Sequence, residues 1–219
     1  MKTHYYLGWF NHFFPENLKS VLQEDITDRK SVVMISANPS SYEEEDGATE
    51  QSWLDQAGIL FDEYHLINNH VLKEDAQTLI QEASVIFLLG GDPLKQIAFL
   101  KEYELSEWIK KSNAVVMGAS AGAINMSVKG FGSESSGFKV EHSSVYDGIG
   151  LDDFSVLAHF DLENNMDLVQ RELSPLSEEI NIYASNKDCA VRVLGDRMDI
   201  ISDVYLISHS KIHKLEETL

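Results

Sequence analysis

Three apolar runs constrain the fold of this sequence more than any other feature: residues 31–37, residues 83–89, and the run that opens at Val115. A strand with one wet face alternates apolar and polar residues. A strand that is apolar throughout is covered on both faces, as in a parallel sheet flanked by helices. Segments with helical spacing separate the runs: residues 15–24 (Leu18, Val21 and Leu22 on one face), 51–57, 75–82 (Leu79 and Ile80) and 94–100. The expected class is α/β, with a mostly parallel central sheet and helices on both faces. At 219 residues the chain suits one such domain, 1–219, and falls short of two. Sites in such sheets gather at the carboxyl ends of the strands.

At the end of the third run stands Val115-Val116-Met117-Gly118-Ala119-Ser120-Ala121-Gly122-Ala123-Ile124. Its order is strand, sharp turn, helix, and the turn is Gly-x-Ser-x-Gly. A nucleophile elbow has this form: the serine sits on a strained turn with its hydroxyl above the sheet. Glycines suit positions 118 and 122, where a Cβ would strike the neighbouring strand or helix. Ser120 is the candidate nucleophile, and the Ala121 N–H faces the position of an oxyanion. Gly90-Gly91-Asp92-Pro93 closes the second run. Its glycines let backbone approach a ligand, and Gly91 N–H is the second candidate oxyanion donor. No Gly-x-Gly-x-x-Gly or Gly-Lys-Ser/Thr motif is present to make this a nucleotide loop.

A serine nucleophile needs a base within reach of its hydroxyl. Residues 154–160 read as a strand ending in His159, the candidate base. Asp188, in a turn before the apolar run 189–194, is suited to orient a histidine. A strand is expected at residues 5–10 and another at 61–67. Residues 162–173 are expected to be helical, closed by Ser174-Pro175. The remainder, from residue 180 onward, reads as short antiparallel strands with tight turns. Residues 128–150 read as glycine-rich loops or short hairpins, with Glu141 and His142 as surface residues.

Composition removes several classes of function. The net charge of −19 opposes binding to nucleic acid, which requires Lys and Arg to neutralise phosphates, and to anionic membrane surfaces. No apolar run reaches the roughly 20 residues of a membrane span. The lone Cys189 excludes an internal disulfide and fits a reducing, cytoplasmic compartment. It lacks an elbow and reads as a small buried hydrophobe. The histidines are not expected to bind a metal, and the acidic run Glu43-Glu44-Glu45-Asp46 reads as a solvated loop. Neither a metal nor an organic cofactor is expected.

Gly90-Gly91-Asp92, residues 118–123, Asp147-Gly148-Ile149-Gly150-Leu151, Ala158-His159, Asp188-x-Ala190 and Asp203-Val204-Tyr205-Leu206 follow in an order and spacing that resembles the peptidase E family. These are α-aspartyl dipeptidases, with cyanophycinase among their relatives. The resemblance spans nearly the whole chain. It implies a fold related to class I glutamine amidotransferases, in which the elbow carries cysteine where this chain has Ser120. It also implies a triad of Ser120, His159 and an acid, with Gly91 and Ala121 as oxyanion donors. The family's acid is a glutamate; the matching residue here is Asp188, one methylene shorter, with Asp161 in reserve. The stretch after the histidine, where aspartyl dipeptidases carry arginine, holds only Arg171 among four acids. Asp92 and Arg171 are the candidate substrate contacts.

These readings converge on a serine peptidase acting on short peptides, including dipeptides with N-terminal Asp, as a monomer or homodimer. The alternatives are a non-catalytic relative that binds a ligand, and an esterase or amidase acting on non-peptide substrates.

Overall fold

The computed structural model describes residues 2–40, 46–132, 144–185 and 188–219. Its first half alternates strand and helix: β1 (Thr3–Leu7), α1 (Glu16–Asp25), β2 (Ser31–Ile35), α2 (Ala48–Gln56), β3 (Glu63–Ile67), α3 (Lys73–Glu82), β4 (Val85–Leu88), α4 (Pro93–Glu102), α5 (Leu105–Lys111), β5 (Val115–Ala119) and α6 (Ala121–Met126). A hairpin follows, β6 (Lys129–Gly132) with β7 (Ser144–Asp147). Next come β8 (Ser155–Leu157), α7 (Met166–Leu168), a π-helical turn (Val169–Leu173) and α8 (Ser174–Leu176). The chain closes with β9 (Ile182–Ser185), β10 (Ala190–Leu194), β11 (Arg197–Ile201), β12 (Val204–Ser208) and β13 (Lys211–Lys214).

Seven strands form the central sheet in the order β11-β10-β1-β5-β4-β2-β3. From β3 to β1 neighbours run parallel; β10 and β11 add an antiparallel edge. Side chains alternate across the sheet as the two-residue strand period requires. Tyr6, Val33, Ile35, Ile86, Leu88 and Val116 enter one core, with α3, α4, α5 and α6 packed on it. Tyr5, Val32, Met34, Val85, Phe87 and Met117 enter the other, under α1 and α2. Every residue of β2 and β4 is buried, which is why both read as continuously apolar.

A second sheet, β13-β12-β9-β8, stands apart from the first. It packs Leu157, Ile182, Ala184 and Ile207 against Leu168, Val169 and Leu173. The expected strand 154–160 is therefore shorter and belongs to this sheet. The expected strand 5–10 ends earlier, at Leu7. Phe10 leaves the sheet to meet Phe14 and Trp53 edge-on, and Trp9 meets Trp53 in the same way. The helix expected at 162–173 begins at Met166, and Pro175 does not close it. That proline occupies the start of a final turn, where its missing N–H is harmless. Helix α5 was not legible, because Glu104 at φ 57° starts it without glycine or proline punctuation. Glu141, His142 and Glu43-Glu44-Glu45 lie outside the described residues. Among the described residues no helix is long and apolar enough to cross a membrane.

Candidate active site

Three parallel strands end side by side at the candidate site. Leu7 pairs with Ala119 across β1 and β5, and Leu88 pairs with Gly118 across β4 and β5. Ser120 follows directly, its N–H donated to Leu7 O at 3.0 Å. Its backbone stands at φ 48°, ψ −105°, a strained conformation for a residue with a Cβ. The first helical bond of α6 runs from Ile124 N–H to Ser120 O at 3.0 Å, so the three N–H groups before it, beginning with Ala121, have no partner within the helix.

The two elbow glycines are steric requirements. A Cβ on Gly122 would lie 2.1 Å from Leu88 O, and one on Gly118 would lie 2.5 Å from Gly122 C. Their absence lets α6 rest directly on the ends of β4 and β5.

His159 comes to Ser120 from the second sheet. Ser127, just past α6, accepts Val156 N–H on its hydroxyl at 2.9 Å, and Val128 N–H donates to Phe154 O at 3.0 Å. Strand β8 is thereby fastened beside α6. Ser120 Oγ and His159 Nε2 are 2.7 Å apart. His159 is itself in the left-handed region, at φ 59°. Ser120 is buried, only 4 % exposed.

The other candidates fall in different places. Asp188, at φ 52°, is exposed. Its Oδ1 accepts Asn11 N–H at 3.1 Å, and its own N–H donates to Trp9 O at 3.3 Å. It thus secures the loop that leaves β1. It also follows β9, whose Ser185 O accepts the N–H of Phe160, the residue after the histidine, at 2.9 Å. Asp161 turns away into its own loop, accepting the N–H groups of Glu163 and Asn164 and the Asn164 amide; these bonds hold its carboxyl below the usual range. Asp92 caps α4 by accepting Leu94 and Lys95 N–H at 3.0 and 3.1 Å. Arg171 projects from the π-helical turn, 69 % exposed, with Glu172 at 3.4 Å. Cys189 is fully buried, and burial pushes its thiol up to about 11. Among the described residues no cluster of His, Cys, Asp or Glu is arranged to hold a metal ion.

Gly91, three residues past β4, stands at φ +136°, a backbone conformation open to glycine. Several residues that sequence reasoning missed hold its loop. Glu50 accepts Gly90 N–H at 2.9 Å. Gln96 donates to both Ile35 O and Leu89 O at 3.1 Å. Asn125, on the elbow helix, donates to Pro93 O and to Gln96 Oε1 at 3.0 Å. A cavity of about 450 Å³ opens next to this loop, between residues 9–12 and the start of α2, with Trp9, Asn11, Thr49 and Trp53 in its walls.

The sequence model of peptidase family S51 matches residues 14–201, a span that holds the elbow, the glycine pair and the histidine. The chain belongs to peptidase family S51. Two solved structures share the fold. A peptidase from an acI-B1 Actinobacterium superposes with a TM-score of 0.71 at 18% identity, over 100% of this chain and 96% of that one. A candidate peptidase E protein from Listeria monocytogenes EGD-e superposes with a TM-score of 0.64 at 17% identity, over 99% and 100%. A search of curated proteins found no match to the sequence. The S51 assignment agrees with the resemblance carried by the sequence motifs.

Proposed function

We propose that this S51 chain is a serine peptidase that cleaves short peptides. The observation that carries the reading is the 2.7 Å contact between Ser120 Oγ and His159 Nε2, made by a serine strained at a strand-to-helix turn. Ser120 Oγ attacks the scissile carbonyl carbon while His159 Nε2 takes the hydroxyl proton. The carbonyl oxygen becomes an oxyanion within reach of the Gly91 and Ala121 N–H groups, each worth about 3 kcal/mol to the transition state. Collapse breaks the C–N bond, and His159 returns the proton to the leaving amine. Water then attacks the acyl-serine ester with His159 again as base, releasing the acid and restoring Ser120.

Asp188 is the acid of the triad in this reading. Its turn and the histidine follow adjoining strands, β9 and β8, and the Asn11 N–H steadies its carboxylate. The buried serine favours chain ends and small peptides over folded proteins. The exposed, Glu172-paired Arg171 gives no support to a preference for N-terminal Asp. The lone buried Cys189 fits a cytoplasmic setting.

The test is fluorophosphonate labelling followed by a dipeptide panel. The expected result is an adduct on Ser120, lost in His159→Ala, and peptide hydrolysis abolished in Ser120→Ala. Hydrolysis of the best peptide at the wild-type rate by Ser120→Ala refutes the mechanism. Turnover of activated esters with no peptide cleaved reassigns the protein as an esterase.

A further inference from the structure

Glu50 is a buried acid that the mechanism above leaves unused. It is the third residue of α2, 4 % exposed. Its Oε1 accepts the Gly90 N–H at 2.9 Å, and burial raises its pKa against the opposing pull of that bond. The indole of Trp9 also lies against Gly90: a Cβ on Gly90 would stand 2.5 Å from the ring and 3.5 Å from Glu50 Oε1. The ring and the carboxylate together leave no space for a side chain at Gly90.

The direction of this grip matters for the next peptide. Helix α2 packs on the face of the sheet that holds Trp53 and Leu54, whereas α6 packs on the opposite face through Ala123 and Met126. Glu50 draws the Gly90 N–H toward the α2 face. Two adjacent glycines have little intrinsic preference for one peptide orientation over another, so an unbraced Gly90-Gly91 pair populates flipped states. An oxyanion donor acts only when it is preorganised.

We propose that Glu50 is a positioning residue for the oxyanion loop. By holding Gly90 N–H toward α2, it keeps the Gly91 N–H turned to the oxygen above Ser120. This rests on the serine-peptidase reading. Length and acceptor capacity are the properties required of the side chain, since Gln retains both at Oε1 while Asp keeps the charge but falls one methylene short.

The experiment compares Glu50→Ala, Glu50→Gln and Glu50→Asp with wild type. p-Nitrophenyl acetate hydrolysis supplies kcat and KM, and glycine-selective amide NMR reports the Gly90 proton. The expected result is a kcat about 100-fold lower in the Ala variant, with KM changed less than about threefold. Asp should also lose activity, while Gln stays within about tenfold of wild type. The Gly90 amide proton should shift strongly upfield in Ala and Asp and little in Gln. If the Ala variant does not fold, the Gln and Asp pair decides. Wild-type kcat in Ala or Asp, equal losses in Gln and Asp, or an unmoved Gly90 proton overturns the proposal while the serine mechanism stands. A wild-type protein that neither labels at Ser120 nor turns over the ester sinks both.

Discussion

Replacing Gly122 by alanine sets two physical effects against each other. Helix propensity alone favours the change: alanine in place of glycine inside a helix stabilises by about 1 kcal/mol. The structure opposes it, because the added Cβ would stand 2.1 Å from Leu88 O. An ordinary C···O contact is about 3.3 Å, so α6 must retreat from β4 by about 1.2 Å. The obstacle is strand backbone, bonded on both sides within the central sheet, so it does not yield as a side chain would. Overpacking of this kind costs about 1–3 kcal/mol. At its upper end it leaves a net loss near 2 kcal/mol after the propensity gain.

Ser120 lies two residues earlier in the same turn and moves with the helix. Its 2.7 Å contact with His159 then opens beyond hydrogen-bond range, and displacement by about 1 Å lowers a positioned reaction roughly 100-fold. Urea unfolding followed by tryptophan fluorescence reads the stability, and the rate of fluorophosphonate labelling at Ser120 reads the geometry. A Gly122→Ala protein that is stabilised by about 1 kcal/mol and labels at the wild-type rate refutes the reasoning, since only propensity would then be acting.

Two further predictions concern buried groups that the mechanism does not use. Arg192 is buried between Asp25 and Asp199, at 2.7 Å from each; Arg192→Met leaves Asp25 without its cation and Asp199 with only the exposed Arg197, and should cost about 3–5 kcal/mol, read as a lower urea midpoint. Cys189, with its thiol raised to about 11 by burial, should resist thiol reagents in the native protein and react once unfolded. Its folded pKa lies above the unfolded value of about 8.5, so its contribution to stability is full below that pH and is lost as pH rises toward about 11; Cys189→Ala should therefore lose less stability than wild type across that window.

Consecutive residues determined the local chemistry of this chain. Uninterrupted apolar runs imply strands covered on both faces, and the central strands are so covered. Gly-x-Ser-x-Gly between a strand and a small-residue helix implies a sharp turn, and Ser120 occupies one. These features depend on neighbours a few residues apart, so periodicity and turn chemistry report them.

The tertiary structure decided how distant segments meet. It put β8 in a second sheet and sent His159 to Ser120 through Ser127. It gave Asp92 a capping role, turned Arg171 to solvent, and set Asp188 against the loop after β1. It also brought Glu50, Gln96 and Asn125 around the glycine pair. Each of those three reads in sequence as an ordinary polar residue of a helix, because helical spacing reports only the apolar stripe. A buried polar side chain is worthwhile only when a partner from elsewhere in the chain satisfies it, and that partner is known only once the chain has closed on itself.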